Sequence, residues 1–261
     1  MRVTDINFEC TAITHVGSVR SNNEDNYYVN GKFKKDNNVP TEGYTDTSIR
    51  DSYIYAVCDG MGGEYFGEIA SMIAVAVLAE YQNTDMRYSI LDYIDRTNKI
   101  ICSETEKHNG ARCGTTLAML FIYGNRAVSF NLGDSRVYLL RKTDLFLLSE
   151  DHTEAQRMVD MGMISEEEAK HHSAKNRLTQ HLGIFPNEMI IEPYVSEEVK
   201  IKKNDIFLIC SDGLTDMVSD DEIRIILSMQ MDTVGIAKKL SATADAYGGK
   251  DNSTVVVIKA T

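Results

Sequence analysis

The sequence predicts an α+β fold with four layers, an α-β-β-α sandwich in which helical pairs flank two central, mostly antiparallel sheets. Short runs that alternate in polarity or are rich in β-branched residues recur along the 261 residues and indicate about ten strands. Two pairs of helical segments interrupt these runs, and each pair follows an apolar strand and an Asp-Gly turn. Strands and helices do not alternate regularly enough for a parallel doubly wound sheet.

The strands are predicted from the hydrophobic pattern and from the turn residues between runs. Gly124-Asn125 and Lys142-Thr143-Asp144 break such runs and predict hairpins, and therefore antiparallel pairing. The predicted strands are Phe8–His15, Asn26–Val29, Ser52–Cys58, Thr115–Tyr123, Arg126–Leu132, Val137–Arg141, Leu145–Leu148, Pro193–Ile201, Ile206–Cys210 and Ser253–Lys259.

The helices are predicted from apolar residues that recur on one face and from capping signals. The first pair is Gly67–Tyr81 and Ser89–His108. The second pair is Asp220–Met229, opened by a capping box that begins at Ser219, and Asp232–Ala246.

The polar segment Asp151–Phe185 is predicted to be a flap over an edge of the sandwich. No linker rich in Pro or Ser divides the chain, so residues 1–261 are predicted to form one domain.

Composition excludes several classes of protein. A net charge of −12 argues against a general nucleic-acid binder, and the longest apolar stretch is far too short for a membrane span. The five cysteines are an odd number without a C-x-x-C pair, and no signal peptide is recognisable at Met1. We therefore expect reduced thiols in a cytoplasmic protein.

Four aspartates stand in Gly, Ser or Asn turns beside apolar segments: Asp59, Asp134, Asp212 and Asp251. Singly, an Asp-Gly pair is also a favoured hairpin turn. Gathered together, carboxylates repel one another by roughly 4 kcal/mol per pair at about 4 Å, so a cation must lie between them. Oxygen ligands without a Cys/His cluster favour Mg²⁺ or Mn²⁺ over zinc. The set therefore predicts a metal-dependent enzyme.

A polar segment from Arg20 to Glu24-Asp25 precedes the second strand. Alone it is a polar loop. With the aspartates, Arg20 could clamp a phosphoryl oxygen, and the two acids could orient metal-bound waters. A P-loop is excluded because Glu68 and Ile69 stand where Lys and Ser/Thr belong.

These motifs together resemble the metal-dependent PP2C-type serine/threonine protein phosphatases (PPM family), particularly the compact bacterial ones. The resemblance runs from about Ile13 to Ile258. It depends on motifs in the family's order: Arg20-x-x-Asn23-Glu24-Asp25, Asp59-Gly60-Met61-Gly62-Gly63, Gly114-Thr115-Thr116, Gly133-Asp134-Ser135-Arg136, Asp151-His152-Thr153, Ser211-Asp212-Gly213-Leu214-Thr215-Asp216 and Asp251-Asn252-Ser253-Thr254.

The resemblance implies a role for each matching position. Asp59 would bridge two Mn²⁺ or Mg²⁺ ions, and Gly60 would offer a carbonyl oxygen to one of them. Asp212 and Asp251 would complete the shell of the other ion.

The remaining positions would act around these ligands. Glu24 would act through a metal-bound water, with Asp25 supporting it from behind, and Arg20 would hold the substrate phosphate. Asp134 and Asp212 would bind a third ion. Asp216 and Asn252 are expected to support the ligands.

Two departures from the family pattern matter. Met61 stands where eukaryotic relatives have a proposed general acid, His, so a metal-bound water is expected to protonate the leaving hydroxyl. The stretch Asn30–Asp51 is also longer than expected between the first two motifs.

The predicted activity is hydrolysis of phosphoserine and phosphothreonine monoesters by direct attack of a water that bridges the two ions. Two alternatives stay open: a catalytically inactive regulatory or binding module, and a phosphatase of a small phosphorylated metabolite. The expected partners are phosphorylated proteins, with a cognate serine/threonine kinase left open, and the expected state is a monomer. Flap residues are expected to select substrates: Glu166, Glu167, Glu168, His171 and His172.

Overall fold

The computed structural model describes residues 6–36, 39, 41–62, 66–108 and 111–261. Its strands are β1 Phe8–His15, β2 Asn26–Val29, β3 Lys32–Phe33, β4 Thr41–Asp46, β5 Ser52–Cys58, β6 Gly60–Gly62, β7 Cys113–Thr115, β8 Leu117–Tyr123, β9 Arg126–Leu132, β10 Arg136–Arg141, β11 Asp144–Leu147, β12 Tyr194–Val195, β13 Val199–Lys200, β14 Ile206–Cys210 and β15 Ser253–Ala260. Its helices are α1 Gly67–Glu80, α2 Met86–Lys107, α3 Glu154–Asp160, α4 Glu166–Lys170, α5 Asp212–Thr215, α6 Asp220–Leu227 and α7 Thr233–Ala246.

The strands form two large sheets. Sheet I has the order β11-β10-β14-β15-β1-β4, and sheet II has the order β12-β9-β8-β5-β2-β3, with β13 also paired to β9. A third, two-stranded sheet pairs β6 with β7. Throughout the described ranges the strand pairs between these elements are antiparallel, as predicted.

Three hydrophobic clusters fill the spaces between four layers. One contains Tyr93 of α2 and Phe121 of sheet II, and a second lies between the sheets and includes Tyr55 and Phe207. The third packs Leu240 of α7 against Val257 of sheet I. The predicted α-β-β-α architecture is therefore confirmed.

Local signals explain the element boundaries. The hairpins β8–β9 and β10–β11 turn through Gly124 and Lys142, both with positive φ. The capping box from Ser219 to Glu222 opens α6 as predicted. The start predicted for α2 at Ser89 is wrong, because the Asp85 side chain accepts a hydrogen bond from Arg87 N and begins the helix at Met86.

Two strand predictions also need correction. The strand predicted over Pro193–Ile201 is two short strands, β12 and β13, separated where the Ser196 hydroxyl binds the backbone of Ser129. The strand predicted from Thr115 is interrupted, because Thr116 pairs with Asp59 rather than continuing either β7 or β8.

The long stretch after β2 extends both sheets. Its β3 pairs with β2 at the edge of sheet II, and its β4 pairs with β1 at the edge of sheet I. Sequence analysis assigned no structure to it because Thr41–Asp46 carries a mostly polar pattern.

The five cysteines are buried and form no disulfide. Among the residues described, no helix combines the length and the apolar character that crossing a membrane requires.

Candidate active site

The predicted acidic residues lie where strands of both sheets end. Asp59 directly follows β5 of sheet II. In sheet I, Asp212 comes two residues after β14, Asp251 comes two residues before β15, and Asp134 comes two residues before β10. Because the sheets pack face to face, residues at these strand ends come together although they are far apart in sequence.

Burial and the neighbouring carboxylates both disfavour the charged forms of these acids. Burial raises the pKa of Asp59 well above its usual value, and the charges of Asp25, Asp212, Asp134 and Asp251 raise it further. The pKa of Asp212 is likewise raised well above normal, first by burial and then by Asp134. Such mutual repulsion makes the cluster a place where a cation would be stabilised.

Asp25 is the most enclosed of these acids, with 1% of its surface exposed. Its Oδ2 accepts hydrogen bonds from Ser211 Oγ and Thr254 Oγ1, each at 2.7 Å. Its Oδ1 is buried and has no hydrogen-bond partner. A buried and unpaired carboxylate oxygen is a place where a cation or an ordered water would be stabilised.

Asn252 fixes the loop that carries Glu24. Its Oδ1 accepts from Glu24 N at 2.8 Å, and its Nδ2 donates to Val16 O and Asn22 O at 2.9 and 2.8 Å. Burial, followed by the charge of Glu68, raises the pKa of Glu24 to about 7. Asn252 thus supports the acid loop through three direct hydrogen bonds.

Arg20 lies at the open side of the cluster. Its Nη2 donates to Asp251 Oδ2 at 2.6 Å, and its side chain is 53% exposed. The guanidinium therefore contacts an acid of the cluster while a large part of it faces solvent.

Two glycines allow the site segments to touch. A Cβ at Gly60 would lie 2.2 Å from Gly67 O and 2.6 Å from Glu24 O. A Cβ at Gly213 would lie 1.8 Å from Asn252 O. These contacts bring the Asp59 turn against the Glu24 loop, and the Asp212 turn against Asp251-Asn252.

Asp134 belongs to the part of the site next to the flap. Burial, then the charge of Asp151, raises the pKa of Asp134 to about 7. Asp151 itself accepts from Arg136, with Nη2 to Oδ2 at 2.6 Å and Nε to Oδ1 at 2.9 Å. This forked ion pair joins the beginning of the flap to β10.

A cleft of about 820 Å³ lies between the flap and the side of the cluster that carries Asp134 and Asp212. Its lining includes Asp134, Asp212, Asp216, Glu166, His171 and Lys175. Asp216 is exposed and accepts from Lys175 Nζ at 2.7 Å and from Asn176 Nδ2 at 3.1 Å. Of the flap residues predicted to select substrates, only Glu166 and His171 line this cleft.

The acids do not form a closed cage by themselves. Within the described ranges, no three side chains of His, Cys, Asp or Glu are grouped so that they alone could hold a metal ion. Gly63 of the Asp-Gly-Met-Gly-Gly motif lies outside the described residues.

Two charged residues near the cluster, Glu68 and Lys34, were not predicted from the sequence to belong to the site. Glu68 has a buried Oε2 without a hydrogen-bond partner, and Lys34 has a fully buried side chain. Neither belongs to a motif with a known ligand pattern. A signal for Glu68 was available, since it is an acid in the first turn of α1, the helix that follows the Asp59 motif. Lys34 lies in a polar insert and carries no such signal.

The chain is similar to known bacterial serine/threonine phosphatases. The chain is 33% identical over 257 residues to the serine/threonine phosphatase stp of Listeria welshimeri, covering 94% of this chain and 93% of the relative. It is 32% identical over 259 residues to the protein phosphatase PhpP of Streptococcus pneumoniae, covering 96% of each.

Solved structures show the same fold. The Mycobacterium tuberculosis serine/threonine phosphatase PstP/Ppp superposes with a TM-score of 0.79 at 31% identity, covering 97% of this chain and 98% of that one. The catalytic domain of PstP in complex with two manganese ions has a TM-score of 0.78 at 30% identity, covering 98% of this chain and all of that one. The sequence profile of protein phosphatase 2C matches residues 12–253, and this chain belongs to the protein phosphatase 2C family.

Proposed function

We propose that this chain hydrolyses phosphoserine and phosphothreonine monoesters of proteins with the help of two Mn²⁺ or Mg²⁺ ions. The observation that carries the proposal is the convergence of Asp59, Asp212 and Asp251 from both sheets with strongly raised pKa values for the first two. The relatives that match nearly the whole chain are named phosphatases, and one related structure holds two manganese ions.

The residues present fit hard divalent ions. The donors are oxygens only, and the unpaired Oδ1 of Asp25 and the raised pKa values of the acids call for positive charge. Mg²⁺ typically keeps several waters and takes only one or two carboxylates, so each ion would be held by a few of these acids together with water.

We assign the direct ligands to Asp59, the Gly60 carbonyl, Asp212 and Asp251. Glu24 acts through water, and Asp25 supports this loop through its bonds to Ser211 and Thr254. Asp216 and Asn252 support the ligands: Asn252 holds Glu24 N, and Asp216 connects the site to the flap.

We further assign Asp134, together with Asp212, to a third ion. Asp134 raises the pKa of Asp212 more strongly than any other charged neighbour does, so the two carboxylates form a pair at the flap side. Their repulsion would be relieved by a cation between them.

When bound, the ions would activate water and neutralise the charge that develops on the phosphoryl group during in-line displacement. Arg20 binds a phosphate oxygen, because its guanidinium stands at the solvent side of the cluster and offers two donors in a fork. Asp251 and Asn252 fix Arg20 and Glu24 relative to each other.

The proposal is tested with Asp59→Ala and Asp212→Ala. With Mn²⁺ present, turnover of a phosphopeptide is expected to fall by at least roughly a thousandfold in each, since two-metal hydrolysis requires both carboxylates. The control is Asp95→Ala, which removes only an exposed acid paired to Lys99 on α2. Turnover close to the wild type in either site variant would refute the assignment.

A second measurement separates the proposed substrates from the alternatives. Hydrolysis of a phenyl phosphate that EDTA abolishes and Mn²⁺ restores would exclude an inactive binding module. A higher kcat/KM on phosphoproteins than on small phosphorylated metabolites is expected, because the relatives that match nearly the whole chain are named serine/threonine or protein phosphatases.

A further inference from the structure

Lys34 is a buried cation that the proposed chemistry does not use. Its side chain is 0% exposed, whereas the other lysines in the described ranges all retain contact with solvent. Lysine is almost never fully buried unless a partner compensates the cost of removing its ammonium group from water. A buried lysine beside a group of acids therefore requires an explanation.

The structure holds Lys34 firmly in place. It comes directly after β3, and its backbone is bound on both sides by the side chain of Asn26, from Lys34 N to Asn26 Oδ1 and from Asn26 Nδ2 to Lys34 O, each at 3.0 Å. Its Nζ donates to Asn23 O at 2.7 Å. The ammonium group thus contacts the loop that carries Glu24 and Asp25.

Two unsatisfied carboxylate oxygens lie in the same region. Asp25 Oδ1 and Glu68 Oε2 are buried and lack hydrogen-bond partners among the residues that the structure describes. Burial lowers the pKa of Lys34, and the charges of Asp25, Glu42 and Glu68 oppose that shift. Burial raises the pKa of Asp25, and the charge of Lys34 in turn opposes that rise. An ammonium group has three donors, and only one of them is bonded to Asn23 O.

We propose that Lys34 is a positioning residue that serves as a fixed internal cation, which balances the charges of Asp25 and Glu68 and anchors the Glu24 loop. This inference rests on the proposed metal site. In the absence of divalent ions, Lys34 offsets part of the repulsion among the acids. Once the ions are bound, its positive charge opposes theirs, so Lys34 limits the affinity of the site for metal.

The test compares Lys34→Met, which keeps the length of the side chain and removes its charge, with Lys32→Met. Lys32 is exposed on the same hairpin and serves as the control. Thermal unfolding is measured in EDTA and in excess MnCl₂, and Mn²⁺ binding is measured by calorimetry. Replacing Lys34 by Met is expected to lower Tm, relative to the wild type, more in EDTA than in MnCl₂. The variant should bind Mn²⁺ roughly three- to tenfold more tightly than the wild type, because a repelling charge has been removed.

A role in packing or hydrogen bonding alone would lower Tm equally under both conditions and leave the Mn²⁺ affinity unchanged, and that result would overturn the inference. If Lys34→Met does not fold, the double variant Lys34→Met/Glu68→Gln is used to test the inference. It removes one charge of each sign and should fold in EDTA, and failure to do so would also contradict charge balance.

The same measurements distinguish a failure of this inference from a failure of the proposed metal site. A wild type that binds no Mn²⁺ would refute the metal site, and the inference with it. If the wild type binds Mn²⁺ and Lys34→Met has the same Mn²⁺ affinity and the same Tm values as the wild type, only the inference about Lys34 is refuted.

Discussion

Arg20 Nη2 and Asp251 Oδ2 lie 2.6 Å apart and join two residues separated by 231 positions in the sequence. The two side chains are 53% and 39% exposed, so this ion pair contributes little to the free energy of unfolding. The ion pair matters because it holds the Arg20 guanidinium beside the acids of the site.

Replacing Arg20 by Ala should therefore impair catalysis more than stability. We expect kcat/KM on a phosphopeptide to fall roughly ten- to a hundredfold, mainly through KM, because phosphate loses a forked donor. The free energy of unfolding should change by less than about 1 kcal/mol. Steady-state kinetics and urea unfolding check both points. Arg126→Ala, which breaks another exposed ion pair, is the control and should keep wild-type kinetics.

Replacing Gly213 by Ala should destabilise the fold and the site together. The added Cβ would lie 1.8 Å from Asn252 O, so the Asp212 turn and the Asp251-Asn252 turn must separate. We expect a loss of about 3 kcal/mol or more in the free energy of unfolding. Gly43→Ala is the matched control, since its Cβ would meet nothing closer than 3.6 Å. Equal urea midpoints for the two variants would contradict the close approach.

His152 should make stability depend on pH. Burial lowers its pKa, partly opposed by Asp151, and its Nδ1 accepts from Gly133 N at 3.2 Å. The folded protein therefore binds this proton less readily than the unfolded chain. The stabilising contribution is complete above the unfolded pKa of about 6.5 and is lost as the pH falls through it.

The variant His152→Asn keeps a neutral acceptor and removes this titration. Between about pH 7.5 and about pH 5, it should lose less unfolding free energy than the wild type does in urea titrations. His171→Asn changes an exposed histidine of the flap and should follow the wild type. Identical pH profiles for His152→Asn and the wild type would show that this imidazole does not contribute.

The flap should affect the choice of protein substrate more than the chemistry. Replacing 165–175 by a short Gly-Ser linker removes Glu166 and His171 from the cleft and breaks the contact between Lys175 and Asp216. Turnover of a small aryl phosphate should stay within about threefold of the wild type, while the kcat/KM values of different phosphoproteins converge. Lys175→Ala separates the loss of the Asp216 contact from the loss of the flap. An unchanged ranking of phosphoproteins would contradict the prediction.

The sequence predicted the fold well where burial leaves a strong pattern. β1, β2, β5, β9 and β14 have the predicted bounds because their apolar or β-branched runs end at turn residues. β4 was missed because an edge strand such as Thr41–Asp46 is mostly exposed, and its polar residues carry no core signal. β6 and β7 were missed because three residues are too few for a periodic pattern.

The motifs predicted the acids that converge at the candidate site, whereas Lys34 and Glu68 belong to no motif and were missed. Asp59 and Asp212 stand beside strand ends and turns, so their convergence follows from the sheet pattern. Lys34 reaches the acids only because Asn26 binds its backbone from both sides, a long-range consequence of the fold that no local pattern reports. The interpretation of residues 1–261 as one domain stays a prediction.

Asp59 directly follows a strand of sheet II, whereas Asp212 and Asp251 lie next to strands of sheet I, so an ion shared by them would connect the two halves of the sandwich. A ligand at a hundred times its Kd adds about 2.7 kcal/mol to the stability of the form that binds it. Removal of divalent ions would therefore weaken the contact between the two sheets. The resistance of the protein to proteolysis would then depend on the concentration of metal in the cell.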